Sequence, residues 1–256
     1  MSGLIWLDPD TPLPEPDLAM PEGLLAAGTD LTVERLLEAY SKGVFPWFNE
    51  GDPVLWWSPD PRMILACDDF KASQSLNKKL RQIARLEETA EARVVVTTDL
   101  AFDAVIRACA GPRTTQAGTW ISDRIIAVYS EWHRRGQVHS VETWVDGELV
   151  GGLYGVCLGG FFFGESMFSW SPDSSKIALA YLVRFLSRHG IAQLDCQQNT
   201  RHLASLGART MTRSAFLTLL REALARPAPE WRAGQLLHDG RLRTLEAQHS
   251  HDEDDA

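Results

Sequence analysis

Two polar interruptions of apolar runs carry the residues of this chain best suited to chemistry. Glu165 lies in GESMF, directly after Phe161-Phe162-Phe163, and Asp195 and Gln197 lie in DCQ, at the end of the strand-like run that starts at Ile191. If these runs are strands of one sheet, Glu165 and the Asp195/Gln197 pair meet at one edge or cleft. A carboxylate there orients an amine or an amide through a charge-assisted hydrogen bond. That suits transfer of an already activated acyl group to an amine, which needs proximity, loss of a proton and stabilisation of an oxyanion but no enzyme-bound intermediate. On spacing alone, Asp195 and Gln197 serve equally well as caps of the turn that follows. No covalent nucleophile is set up: the chain has no GxSxG elbow, no HExxH, no phosphate-binding Walker loop and no GxGxxG after a strand. Cys196 is flanked by Asp195, whose charge raises a thiol pKa, so it reads as a small core residue. Cys67, Cys109, Cys157 and Cys196 are far apart without a CxxC pair, which argues against a zinc or redox motif and for free thiols in a reducing compartment.

The elements that position these residues centre on the stretch from Val141 to Lys176. Val141–Val145 alternates, Asp146-Gly147 is a hairpin turn that tolerates positive φ, and Leu149–Leu158 is a second strand broken by Gly151, Gly152 and Gly155. Glycine inside a strand marks a bulge or a close backbone approach. Gly159-Gly160 turns the chain into a third strand, and Pro172-Asp173-Ser174-Ser175 starts a helix that ends at Gly190. Upstream, Asp30-Leu31-Thr32 caps a helix, and VFPWFNEGDPVLWWSPDPR, with three Trp and four Pro, reads as a rigid loop displaying Trp47, Trp56 and Trp57 for stacking or for a small core. A helix from Lys71 to Arg85 buries Leu76, Leu80 and Ile83 and turns Lys71, Lys78, Lys79, Arg81 and Arg85 outward. A strand at Arg93–Thr97 precedes a helix capped by Asp99, and the last helix runs from Arg213 to Leu224. After Pro227 periodicity fades, and the terminal HSHDEDDA is expected to be disordered. This order of elements predicts an α+β layered domain.

Composition narrows the function classes. The chain has 256 residues, 45% hydrophobic and 23% charged, which supports one large or two smaller cores. No apolar run approaches the ~20 residues needed to span a bilayer, and the acidic, Pro-rich start lacks the basic and apolar regions of a secretory signal. A net charge of −9 disfavours coating long nucleic acid. The five basic residues of the Lys71–Arg85 helix nonetheless form an unbalanced patch suited to a phosphate partner.

Read together, GLLAAGTDL (Gly23–Leu31), AYSKGVFPWF (Ala39–Phe48), LWWSPDPR (Leu55–Arg62), GTWI (118–121), HSVETW (His139–Trp144), LVGGLYGV (Leu149–Val156), GESMFS (Gly164–Ser169), SSK (Ser174–Lys176), DCQ and HLASLGA (His202–Ala208) resemble the leucyl/phenylalanyl-tRNA–protein transferase family, in order, from about residue 20 to 220. The resemblance implies a small N-terminal domain (1–65) and a GCN5-related acetyltransferase-like (GNAT) domain (66–235); the acidic tail (236–256), expected to be disordered, lies outside it. It implies a cytoplasmic, monomeric aminoacyltransferase without metal or cofactor. Such an enzyme moves Leu, Phe or less readily Met from aminoacyl-tRNA to the N-terminal Arg or Lys of a protein, marking it for N-end rule degradation. It also implies roles. Gln197 accepts a proton from the acceptor amine, Asp195 orients Gln197, and Glu165 holds the acceptor's amino end. Leu153, Met167, Leu179, Leu182, Leu186 and Leu194 form the side-chain pocket, and Trp47 and Trp120 flank the tRNA's 3′-terminal adenosine. Adaptable Leu and Met suit such a pocket, an exposed Trp suits a splayed base, and the helix start at Pro172–Lys176 suits a phosphate. Leu182 and Leu186 stand where aromatic residues are common in the family. Two rivals remain: an acetyl-CoA-dependent acetyltransferase, which needs a glycine-rich loop where this chain reads SPDSS, and a non-catalytic tRNA- or peptide-binding module.

Overall fold

A computed structural model of the chain describes residues 4–111 and 120–244. Gly118 and Thr119 of the GTWI motif, and the terminal HSHDEDDA, lie outside the described residues. The N-terminal region comprises β1 (Ile5–Leu7), β2 (Leu24–Gly28), α1 (Val33–Ser41), β3 (Phe45–Pro46) and β4 (Val54–Trp57). There follow β5 (Arg62–Ala66), α2 (Gln74–Leu86), β6 (Val94–Thr98), α3 (Phe102–Ala110), α4 (Asp123–Arg134), β7 (Val138–Val145), β8 (Glu148–Leu158) and β9 (Phe161–Ser169). The chain continues through α5 (Ser174–Arg188), β10 (Gln193–Gln197), α6 (Arg201–Ser205), β11 (Arg209–Met211), α7 (Arg213–Leu224), β12 (Gly234–Leu236) and β13 (Leu242–Arg243).

Among the described residues the strands form two sheets, ordered β1-β2-β4-β3 and β11-β5-β10-β9-β8-β7-β6-β12-β13. This is a mixed α+β architecture with a small N-terminal region and a larger sheet domain. In the large sheet every described pairing is antiparallel except β9 with β10. A parallel pair needs a crossover, and α5 supplies it. The ladder between β9 and β10 joins only Leu194 to Phe162 and Asp195 to Phe163, so beyond those residues the strand ends are unpaired with each other.

The strand alternation sorts side chains to the two faces of the large sheet. Tyr154, Val156, Leu158, Phe161 and Phe163 pack with α3, α4, α7 and the N-terminal region, whereas Leu153, Cys157 and Phe162 pack with α2 and α5. The N-terminal sheet therefore shares a core with the large one. The expected boundaries change accordingly. The division at 65/66 falls inside β5, a strand of the large sheet, and that at 235/236 falls inside β12, which with β13 belongs to the same sheet.

Three local expectations are corrected. The Trp- and Pro-rich segment is not all loop: it forms β3 and β4, with Pro46 on an edge strand where its missing N–H costs no ladder bond. Trp56 is 1% exposed and is core, not a platform. Asp99 does not cap α3, whose N-cap is Ala101; its carboxylate instead accepts from Ser140 N–H (2.9 Å) and meets His139 Nδ1 (2.7 Å). The hairpin at Asp146-Gly147 forms as expected, with φ of 51° and 83°, and α7 spans Arg213–Leu224.

Candidate active site

Two β-bulges build the polar end of the site. Between β8 and β9, Tyr154 faces Ser166 and Gly155 faces Gly164, so Glu165 is the extra residue without a ladder partner. Between β10 and β5, Asp195 faces Ile64 and Gln197 faces Met63, which leaves Cys196 as the extra residue. A bulge re-aims side chains near its strand end. Gly155 permits the first bulge, because a Cβ there would lie 2.3 Å from the carbonyl oxygen of Phe163. Gln197 takes a left-handed backbone (φ 60°), uncommon for a residue with a side chain.

The two bulges come together. Gln197 Nε2 donates to Glu165 Oε1 at 2.9 Å, and Tyr40 Oη donates to the same oxygen at 2.7 Å. Tyr129 Oη lies 2.6 Å from Tyr40 Oη and 3.4 Å from Glu165 Oε2. Burial pushes the Glu165 carboxyl up to about 8, with the nearby Asp195 charge adding to the rise and the Tyr40 and Tyr129 hydrogen bonds opposing it. Burial also holds both tyrosines well above the usual phenol range, with Glu165 adding to the effect. Cys196 is likewise pushed well above an ordinary thiol, first by burial and then by Asp195, so it is no nucleophile.

Asp195 occupies a different setting. Its carboxylate is fully buried and receives a two-pronged ion pair from Arg62, with Nε to Oδ1 at 2.9 Å and Nη2 to Oδ2 at 2.6 Å. Oδ1 also accepts the backbone N–H of Gln197 at 2.8 Å. Asp195 thus does cap the turn it precedes, and it braces Gln197 in doing so.

These groups face a cavity of about 470 Å³. Glu165, Asp195 and Gln197 line its polar part, and Leu153, Met167, Leu179, Leu182 and Leu194 line its apolar part, drawn from β8, β9, α5 and β10. Trp47 and Trp120 also line it; Trp47 is 40% exposed and donates no strand pairing through its ring, which packs edge-on to Trp57 at 5.8 Å. Leu186, expected in the pocket wall, does not reach the cavity: it points into the core between α5 and the sheet. None of the five basic residues around α2 lines the cavity. Lys71, Lys78, Arg81 and Arg85 are exposed, while Lys79 is tied to Asp173 at 2.6 Å.

The sequence carries the family's mark along most of its length. Residues 64–221 match the family model described as leucyl/phenylalanyl-tRNA protein transferase, and residues 29–60 match the model of its N-terminal domain. The chain belongs to this family. Two proteins called leucyl/phenylalanyl-tRNA–protein transferase illustrate the match. One from Bordetella petrii is 60% identical over 241 residues, covering 93% of this chain and 95% of its own, and one from Bordetella avium is 58% identical over 237 residues, covering 92% and 95%. Among solved structures, a conserved protein of unknown function from Bacteroides thetaiotaomicron aligns at a TM-score of 0.39 and 12% identity, over 66% of this chain and 57% of its own, a likeness too slight to argue from.

For a leucyl/phenylalanyl-tRNA–protein transferase, sequence reasoning missed three residues of the polar end. Arg62, Tyr40 and Tyr129 contact Asp195 or Glu165 across 133, 125 and 36 residues of chain. The one available signal was Arg62 itself, a charged residue directly before the apolar run Met63–Ala66.

Proposed function

We propose that the cavity is where the charged 3′ end of an aminoacyl-tRNA meets the N-terminal amine of an acceptor protein. The enzyme is an aminoacyltransferase that transfers Leu, Phe or less readily Met to an N-terminal Arg or Lys, which marks the acceptor for N-end rule degradation. The single observation that carries the reading is one cavity with an apolar end sized for a side chain, two tryptophans at its wall, and an uncharged amide braced beside a high-pKa carboxylate.

The chemistry follows from that arrangement. The neutral α-amine attacks the ester carbonyl carbon; the C–N bond forms as the C–O bond to the tRNA ribose breaks. Gln197 turns its Nε2 to Glu165, which leaves the amide oxygen to accept an N–H from the amine and aim its lone pair. A carboxamide is too weak a base to keep a proton near neutral pH. Glu165, with a pKa of about 8, lies close to the α-amine's own value of roughly 8, takes the proton at little cost and passes it to the ribose oxygen as that oxygen leaves. Leu153, Met167, Leu179, Leu182 and Leu194 hold the transferred side chain, and Trp47 and Trp120 stack the terminal adenosine. Lys71, Lys78, Arg81 and Arg85 approach the tRNA backbone, with Lys79 contributing less because Asp173 already holds it.

We read the large sheet with its single parallel, diverging strand pair as a GNAT-like domain, acting as a monomer in the cytoplasm, where charged tRNA is available. Against coenzyme A stands the start of α5. That turn reads Ser171-Pro172-Asp173-Ser174-Ser175, without the glycines that let a pyrophosphate approach the backbone. Among the described residues no helix is long and apolar enough to cross a membrane. The deciding assay offers labelled Leu-tRNA and labelled acetyl-CoA in parallel to a peptide beginning with Arg. Leucine on the peptide and no acetyl group is the expected result; acetyl transfer, or tight tRNA binding without any transfer, would replace this reading with one of the rivals.

A further inference from the structure

Resting on the reading of this cavity as the aminoacyl-transfer site, we propose that Arg62 is its positioning residue. Its guanidinium sets the loop carrying Trp47 and the strand end carrying Gln197 in one register, and neutralises Asp195 so that Asp195 braces Gln197 without taking part in proton transfer.

Arg62 lies behind the cavity wall and is 1% exposed, yet it contacts three separate pieces of the site. Nε and Nη2 grip the two carboxylate oxygens of Asp195 on β10. Nη1 donates to the carbonyl oxygen of Gly43 at 3.1 Å, at the start of the loop that reaches Trp47. The plane of the guanidinium is held by Phe45 of β3 and Phe216 of α7, whose ring centroids lie 4.8 Å and 4.5 Å from Cζ. Gly43 has no alternative here: its φ is 72°, and a Cβ would lie 2.7 Å from the Phe216 ring. The far end of the same loop is fixed independently, with Trp47 N–H donating to Leu55 O at 2.9 Å and Trp57 Nε1 donating to Trp47 O at 2.7 Å. One side chain thus links the wall that faces the adenosine to the residue that faces the amine.

The second half of the proposal comes from the Asp195 oxygens. Both are engaged by Arg62, and Oδ1 additionally accepts the Gln197 N–H that the bulge frees from the ladder. That acceptor holds Gln197 at positive φ, and from that backbone its Nε2 reaches Glu165. Both carboxylate oxygens are occupied by the guanidinium, and loss of the carboxylate charge would leave that guanidinium buried and unpaired. Lysine cannot replace the fork, since one ammonium cannot satisfy both carboxylate oxygens and the Gly43 carbonyl in this plane.

The test compares Arg62→Lys, Arg62→Met and the double variant Arg62→Met/Asp195→Asn, measuring kcat and KM for Leu-tRNA and for an Arg-starting peptide, with melting temperature alongside. The wild-type enzyme in the same assay reads the transfer reaction itself. Arg62→Lys is expected to keep a cooperative melt and to lose about 30-fold or more in kcat with peptide KM within about threefold. Arg62→Met falls further, and adding Asp195→Asn recovers at least about fivefold, because the asparagine Oδ1 still accepts from Gln197 while the stranded charge is gone. A crystal structure of Arg62→Lys, which needs no activity, should show Gln197 out of the left-handed region and beyond hydrogen-bond reach of Glu165. Wild-type kcat in Arg62→Lys, an unmoved Gln197, or a double variant no better than Arg62→Met would overturn the proposal; the last result would assign the Asp195 charge a direct part in the reaction.

Discussion

Glu165 and Asp195 lie on adjacent parallel strands, each at a bulge, and both face one cavity, yet the fold gives them opposite electrostatic settings. Asp195 is gripped by a guanidinium through both oxygens. Glu165 makes no described ion pair and is met instead by two phenols and an amide. Burial raises the Glu165 carboxyl and the Arg62 charge offsets that only in part, whereas Asp195 pairs directly with the same guanidinium, so the same functional group becomes a fixed brace on one strand and a titrating carboxyl on the other. What separates the two roles is the neighbour that each strand end meets, and those neighbours come from other parts of the chain.

Each substitution below breaks or sharpens that contrast. Asp195→Ala removes the brace and strands Arg62 in the core, so kcat should fall by about 10³-fold while tRNA binding, measured by filter retention, changes by less than about threefold. An equal loss of tRNA binding would recast Asp195 as a general scaffold. Glu165→Gln should cost about 30-fold at pH 8 and also simplify the pH profile. In the wild type two ionisations near pH 8, those of Glu165 and the acceptor amine, combine to steepen the rise of rate with pH; in the variant only the amine's remains. An unchanged slope would remove Glu165 from proton transfer.

Stability should report the same asymmetry. The Glu165 carboxyl titrates at about 8 in the folded chain against an ordinary value of 4.5, so the fold favours its protonated form. That contribution is complete below about pH 4.5 and is lost as pH rises through about 8. Urea denaturation at pH 9 should therefore find Glu165→Gln more stable than the wild type by about 4 to 5 kcal/mol, a gain that disappears at pH 4. Tyr40→Phe deletes a hydrogen bond that lowers the Glu165 value, so the rise in rate should move to higher pH by about half a unit, with a loss of about threefold at pH 7.5. The smallest effect lies outside the cavity. Lys78→Ala with Arg81→Ala should flatten the salt dependence of tRNA binding by about one unit of slope per residue, and Lys79→Ala by less, since Asp173 already screens it.

Much of the frame was legible in the residues alone. Asp146-Gly147 specified a hairpin because a two-residue turn of that hand needs positive φ, and glycine within Leu149–Leu158 signalled the bulge that Gly155 permits. The period-3.6 stripe of Leu76, Leu80 and Ile83 fixed which face of α2 is buried. Expectations slipped where a local rule met a distant partner. Asp99 looks like a helix cap until His139 and Ser140 N–H claim its carboxylate, and Trp56 looks like a display residue until the N-terminal core closes over it. The stretch after Pro227 lacks periodicity because β12 and β13 are too short to show any; pairing of β12 with β6, and of β13 with β12, is what orders them.

The sequence by itself determined the central hairpins of β7, β8 and β9, the amphipathic helices, the polar residues within β9 and β10, and the family, all of which rest on spacing between near neighbours. Only the tertiary structure decided which carboxylate would be neutralised. Arg62 reaches Asp195 across 133 residues and Tyr40 reaches Glu165 across 125, and no periodicity encodes a contact made by pairing β5 with β10 or by packing α1 against the large sheet.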